Sequence, residues 1–280
     1  MKTRRGRLNV TDFISSEVIR KTSIVKESVR PYRLKVEGWV LVQARARGIN
    51  VPKVLDYYHD KAGREVIVLE RIQGQPLLWR SSQENIECMA KVGEQILALN
   101  NAPLDVGWGW IDPSTLTGNS ESWKAFLLSY TQFYHKLLSR ENVIEEPHFQ
   151  TLYRLIDSID FNSPKPCLVH RDIKPSNIVK GNDGRIWIID WENAMLGDSL
   201  FDLATFGVRY GHGVLWESLV QKHELDPSSP RYIFYEIIIL VGLIEFYLKY
   251  KINYGGRQKQ LYRLIQRLIA RREVSRSLTN

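Results

Sequence analysis

The chain has 280 residues, of which 44% are hydrophobic and 25% charged, an ordinary globular balance with enough length for one large domain or two lobes around a cleft. Only two cysteines occur, Cys88 and Cys167; their separation argues against a disulfide framework or a zinc site and for a reducing, cytoplasmic setting. The net charge is +8, but residues 246–272 alone hold eight Lys or Arg and no acid, so the excess belongs to one segment rather than to a surface built for nucleic acid.

The basic start, MKTRRGRLNV, is followed by no apolar run of the kind a secretory signal needs. VTDFI (10–14) and EVIRKT (17–22) flank Ser15-Ser16 and predict a hairpin. Residues 33–48 have helical spacing and stop at Gly48. PKVLDYYHD and REVIVLERI around KAG predict a second strand pair, and QGQP (73–76) a hinge. Helical stretches follow at 82–100, with Ser82 as N-cap, at 120–138 and at 147–159. Strands return at 167–169, 177–180 and 185–190, and helices resume to the end. The apolar run 233–248 contains Glu236 and Glu245 and reads as a buried helix, not a membrane span. In 257–272, Leu261, Leu264, Ile265, Leu268 and Ile269 make one face of a docked amphipathic helix whose other face is basic; contact with anionic lipid or nucleic acid is its less favoured use. The expected organisation is a small strand-rich lobe (1–72), a hinge (73–80) and a larger helical lobe (81–280).

The densest polarity is LVHRDIKPSNIV (168–179), between two apolar strands. The turn GNDG (181–184) predicts a hairpin in which Lys180 faces Arg185 and Asn177 faces Ile188. That register sets Asp190 diagonally across from Asn177, about 7–8 Å away between Cβ atoms. An amide and a carboxylate there could share a magnesium ion, which takes a few protein oxygens and keeps water and phosphate oxygens. Asp172, on the loop entering the hairpin, is placed to accept a proton from an incoming hydroxyl. Lys174 offers a point charge to a terminal phosphate, and His170 reads as an anchor of the loop.

This stretch resembles the protein-kinase-like catalytic loop, H-R-D-x-K-P-x-N. Its continuation, IIDWENAMLGDSLFDLA (188–204), is similar to the aminoglycoside phosphotransferases and choline kinases, and closest in motif to hygromycin-type phosphotransferases. The resemblance implies an α+β, bilobal protein-kinase-like fold with a small antiparallel-sheet lobe and a mainly helical lobe. By it Asp172 would be the catalytic base assisted by Lys174, Asn177 and Asp190 would bind Mg2+, and Asp202 would brace the loop. It also implies a strand lysine gripping the nucleotide phosphates, Lys21 in preference to Arg20 or Lys26, held by Glu37 on the following helix. The main chain of Glu70 and Ile72 would meet the nucleobase.

The match departs at the start, where RRGRLN offers only Gly6 and Asn9 in place of a glycine-rich loop and the first strand looks short or missing. Only eleven residues separate Asp190 from Asp202, Trp191-Glu192 follows the aspartate, and no A-P-E occurs, so a protein substrate is not expected. The reading is a kinase that moves the terminal phosphoryl group of ATP or GTP to a hydroxyl of a small acceptor, first an aminoglycoside or aminocyclitol, next a choline-like or sugar metabolite. A catalytically poor, kinase-shaped binding module is the alternative. Trp216, Tyr232, Phe234, Tyr235, Phe246 and Tyr247 supply aromatic surface that, with Glu236 and Glu245, could hold a cationic acceptor. Glu192, and the segment DVGWGWIDP (105–113) with Trp123, are further candidates for acceptor contact.

Overall fold

The computed structural model describes residues 2–6, 8–24, 33–161 and 165–277. Its first lobe is an antiparallel sheet of five strands in the order β1-β2-β3-β5-β4. β1 (Lys2–Arg5), expected short or missing, pairs along its whole length with β2 (Asn9–Phe13). β2 in turn pairs with β3 (Val18–Ser23) in the expected hairpin. Helix α1 (Arg33–Ala46) ends before Gly48, whose φ of +76° suits a helix stop. α1 packs on β4 (Val54–His59) and β5 (Glu65–Glu70). Gly38 makes that approach close: a Cβ there would lie 3.2 Å from the Cδ1 of Ile67.

Three of the eight residues read as a hinge form a strand. β6 (Gly74–Pro76) pairs with β10 (Ile178–Gly181), and β10 pairs with β11 (Ile186–Ile188). The chain leaving the first lobe is thereby tied to the hairpin that follows Asp172. Helix α2 (Gln83–Asn100) begins with Ser82 accepting from the Asn85 amide at 3.3 Å. The DVGWGWIDP segment, whose alternation is interrupted by glycines, forms β7 (Trp108–Ile111). It joins β8 (Gly118–Ser120), β9 (Cys167–Val169) and β12 (Met195–Gly197) in a third sheet of order β8-β7-β12-β9.

The helical lobe is completed by α3 (Trp123–Arg140), α4 (Glu146–Ser158), α5 (Leu200–Tyr210), α6 (Val214–Val220), α7 (Pro230–Lys249) and α8 (Gly255–Ser277). α7 is apolar nearly all round, as a helix surrounded by protein must be, and is packed between α3, α5 and α8. No helix among the described residues is long and apolar enough to cross a membrane. On α8, Leu261, Ile265 and Leu268 are buried while Arg263 and Arg267 are exposed, the docked basic helix expected. Both cysteines are buried and free.

Candidate active site

The loop after β9 is shaped by two buried side chains. Asp202, on the first turn of α5, accepts the His170 amide at 2.8 Å and the Arg171 amide at 2.6 Å. Burial pushes its carboxyl up, and His170 and those amides pull against that rise. The His170 ring accepts the Asp172 amide on Nδ1 (3.1 Å), which leaves Nε2 to donate to the Ile189 carbonyl (3.0 Å). His170 is therefore the anchor, joining the loop to the strand end that carries Asp190. Arg171, between them, has a φ of +66°, a conformation that costs about 1–3 kcal/mol away from glycine and persists only where the surroundings over-determine it.

Asp172 emerges from this frame with both carboxylate oxygens engaged. Oδ1 accepts from Nη1 of Arg209 at 2.8 Å; Oδ2 accepts from Lys174 Nζ at 2.5 Å and Asn177 Nδ2 at 3.1 Å. Asn177 Nδ2 also donates to the Asp172 carbonyl at 3.0 Å. Arg209 was not anticipated from sequence. The signal was present: Asp202 and Arg209 are seven residues apart on one helix, two turns and therefore one face.

The hairpin register differs from expectation by one residue. Lys180 pairs with Ile186 and Ile178 with Ile188, and the Ile189 amide donates to the Asn177 carbonyl at 2.9 Å. Gly184, at φ +77°, closes a three-residue loop over which Gly181 bonds Arg185, the geometry of a bulged hairpin rather than a four-residue one. Asn177 is thus not opposite Ile188, and strand alternation does not aim Asp190. β11 ends at Ile188, and Asp190 takes a left-handed φ of +68°.

Asp190 meets Lys21 instead. Lys21 Nζ donates to Asp190 Oδ1 at 3.0 Å and to both oxygens of Glu37 at 2.9 and 2.8 Å. Lys21 and Glu37 are 8% and 1% exposed, a pair too desolvated to survive without mutual neutralisation. Burial would lower the Lys21 pKa, but Glu37 and then Asp190 overcome it and hold it raised. Burial would likewise raise Asp190, and Lys21 holds it below the usual carboxylate range. Arg20, one residue along, pairs with Asp12 on β2 at 2.7 Å; Lys26 lies outside the described residues.

These groups line one cleft of about 1060 Å³. Lys21, Glu37, Asp172, Lys174, Asn177 and Asp190 all reach it, as do Glu70 and Ile72 at the start of the linking segment. Gly6 and Leu8, between β1 and β2, and Asn9 at the start of β2 line it from the other side, and the Gly6 amide bonds the Asn9 carbonyl at 2.8 Å. Asn9 Nδ2 donates to Glu192, which also contributes to the field on Lys21. Glu192 therefore sits beside the lysine. Of the aromatic residues considered for acceptor contact, Phe246 and Tyr247 line the cleft, whereas Trp216, Tyr232, Phe234 and Tyr235 are core. Trp123 is core as well, donating to the Tyr235 hydroxyl at 2.8 Å. Glu236 is buried against His212 at 2.8 Å; Glu245 reaches the cleft.

Residues 30–223 match the family model described as the phosphotransferase enzyme family, well over half of the chain. The chain belongs to the phosphotransferase enzyme family. Among curated proteins, this phosphotransferase is similar to a LicA homolog from Metamycoplasma hominis, 30% identical over 111 residues. That match spans 40% of the chain and 43% of the relative, less than half its length. Among solved structures, a thermostable mutant of the aminoglycoside phosphotransferase APH(4)-Ia, in ternary complex with AMP-PNP and hygromycin B, superposes with a TM-score of 0.68 at 18% identity, covering 96% of this chain and 92% of that one. A candidate fructosamine-3-kinase from Haemophilus somnus 129PT gives 0.68 at 17%, covering 95% and 90%. At these identities the likeness is one of fold, and it makes the phosphotransferase a bilobal, kinase-like chain.

Proposed function

We propose that the protein is a cytoplasmic, magnesium-dependent small-molecule kinase that moves the terminal phosphoryl group of ATP or GTP to an acceptor hydroxyl. The observation that carries this reading is the convergence of Lys21, Asp190 and Asp172, from three separated segments, on one cleft in a chain of the phosphotransferase family. The solved relative holding AMP-PNP supports a nucleotide there.

The first lobe, residues 1–72, binds the nucleotide; 73–80 link it to the acceptor-binding lobe, 81–280. Lys21, held by Glu37, grips the phosphates, and the main chain at Glu70 and Ile72 meets the nucleobase. Asp172 orients the acceptor hydroxyl and takes its proton. The hydroxyl oxygen bonds to the terminal phosphorus, the bond from that phosphorus to the bridging oxygen breaks, and the nucleoside diphosphate leaves. Lys174 and Arg209, both on the Asp172 carboxylate, fix its direction and spread charge near the reacting oxygens.

Asn177 and Asp190 fit a magnesium ion by donor chemistry. Asn177 uses its NH2 on Asp172, which turns its amide oxygen elsewhere, and Asp190 adds a carboxylate: hard oxygens, few enough for an ion that keeps water and phosphate oxygens. When bound, the ion supplies charge neutralisation along the phosphates.

An aminoglycoside or aminocyclitol needs carboxylates facing its ammonium groups. The helical end of the cleft offers Glu245, and Asp172 already engaged by Arg209 and Lys174, against Arg171, Arg209, Lys249 and Arg257, a balance that weighs against a polycation. The test is a phosphate-transfer assay over an acceptor panel. Asp172→Ala should reduce transfer by about 100-fold or more, and transfer that survives Asp190→Ala would overturn the metal assignment.

A further inference from the structure

The acceptor end of the cleft contains two guanidinium groups whose hydrogen bonding is incomplete. Arg171 lies over the Trp110 ring, 4.2 Å from its centroid, and its Nη1 reaches the Asn193 carbonyl only at 3.5 Å. Its Nε is buried with no partner, and among the described residues no carboxylate lies within ion-pair distance of it. Arg209 donates Nη1 to Asp172, and its Nε too is buried with no partner. The two guanidinium groups are close enough to repel, and burial lowers the Arg171 pKa from its ordinary value. Nearby, Arg257 donates to the carbonyls of Val208 and Arg209, so its charge meets no carboxylate there either.

A buried guanidinium with an idle N–H is costly, because the desolvated donor loses water and gains nothing. With Arg209 Nη1 on Asp172 and both Nε atoms buried, the donors left for a ligand are the Nη groups of Arg171 and Nη2 of Arg209, and these side by side match an oxyanion. The nearby phenols of Tyr130 and Tyr134 line the same cleft; burial raises the Tyr134 pKa, so that it keeps its proton, and as the two phenols hydrogen-bond each other the pair leaves one O–H for a ligand.

Resting on the phosphotransferase reading above, we propose that the acceptor is an anionic small molecule, a hydroxyl compound bearing a carboxylate or phosphate group that docks on Arg171 and Arg209. Because Arg209 also holds Asp172, the bound oxyanion lies beside the base, and the reactive hydroxyl is a few bonds from it on the acceptor. The oxyanion itself takes no part in the bond changes. It orients the acceptor and supplies Arg171 with the counter-charge that Arg209 already has in Asp172.

The test is calorimetric titration of the full chain with two series of matched skeleton: glycerol, glycerate, glycerol phosphate and serinol; and glucose, gluconate, glucose 6-phosphate and glucosamine. The expected result is that at least one anionic member binds tenfold or more tighter than its neutral and cationic counterparts. Arg171→Gln should weaken that binding about 10- to 100-fold, and Arg171→Lys, which keeps the charge and loses the fork, by less. Comparison of the carboxylate and phosphate members identifies the oxyanion. The proposal is overturned if no anion binds, if a neutral or cationic member binds as well, or if the Gln and Lys variants behave alike. Terminal-phosphate transfer from magnesium-ATP is read in the same samples. Selective anion binding without any transfer would remove the phosphotransferase reading and leave the anion site standing.

Discussion

Asp172 is held on three sides by Arg209, Lys174 and Asn177, and its backbone by Asp202 through the two preceding amides. Asp202→Asn would replace one accepting oxygen by an NH2 group facing an amide donor. About 1–3 kcal/mol is at stake for a buried donor left unpaired, and the expected outcome is a lowered kcat with a melting temperature that falls by a few degrees, measured by steady-state transfer and calorimetry. Lys21→Met would strand the Glu37 carboxyl in the core, a loss of about 3–5 kcal/mol for a broken buried pair. The pH dependence has a definite sign. Burial already raises Glu37 above 4.5; without the lysine the folded chain holds that proton still more tightly than the unfolded one. The variant's stability is then greatest at low pH and falls as pH rises through the range above 4.5. Denaturant melts of both proteins at pH 5 and pH 8 check it: the deficit against the natural chain should be larger at pH 8.

At the scale of elements, α5 does two tasks with one face, bracing the loop through Asp202 and holding the Asp172 carboxylate through Arg209. α2 lies against α6 because Gly93 has no side chain: a Cβ there would stand 2.0 Å from the Leu219 carbonyl oxygen. Gly93→Ala cannot be absorbed by a flexible side chain, so the helices must part, at a cost of about 1–3 kcal/mol. A drop in melting temperature with unchanged nucleotide affinity is the expected pair of results. Gly74 is more sensitive functionally. Its Cβ would lie 2.1 Å from the Lys180 carbonyl oxygen, within the β6–β10 pairing that ties the linking segment to the Asn177 hairpin. Gly74→Ala should therefore lower transfer as well as stability.

At the scale of the molecule, the cleft is walled by both lobes and crossed by Lys21–Asp190 and Asn9–Glu192 contacts. A ligand bound there touches both walls and stabilises the folded chain by mass action, about 2.7 kcal/mol at one hundred times its Kd. Magnesium-ATP at that excess should raise the melting temperature, and chelation of magnesium should reverse most of the rise. A nucleotide that leaves the melting curve unmoved would count against the cleft as its site.

The local sequence determined much of this protein. Periodicity placed α1, α2 and the docked basic helix, turn residues placed the first hairpins, and the clustered polar residues of 168–190 marked the candidate site, because each of these signals is a matter of neighbours along the chain. The tertiary structure decided what depends on distant partners. The short strands β6, β7 and β12 exist through pairing rather than propensity, the left-handed Asp190 is aimed by no strand rule, and Trp123, Tyr235 and Glu236 proved to be interior. Arg171 and Arg209 acquire their meaning only where folding brings them together, Arg209 on the Asp172 carboxylate and Arg171 with no carboxylate in ion-pair distance among the described residues, since electrostatic pairing is set by distance in space and burial, neither of which is written in the order of residues.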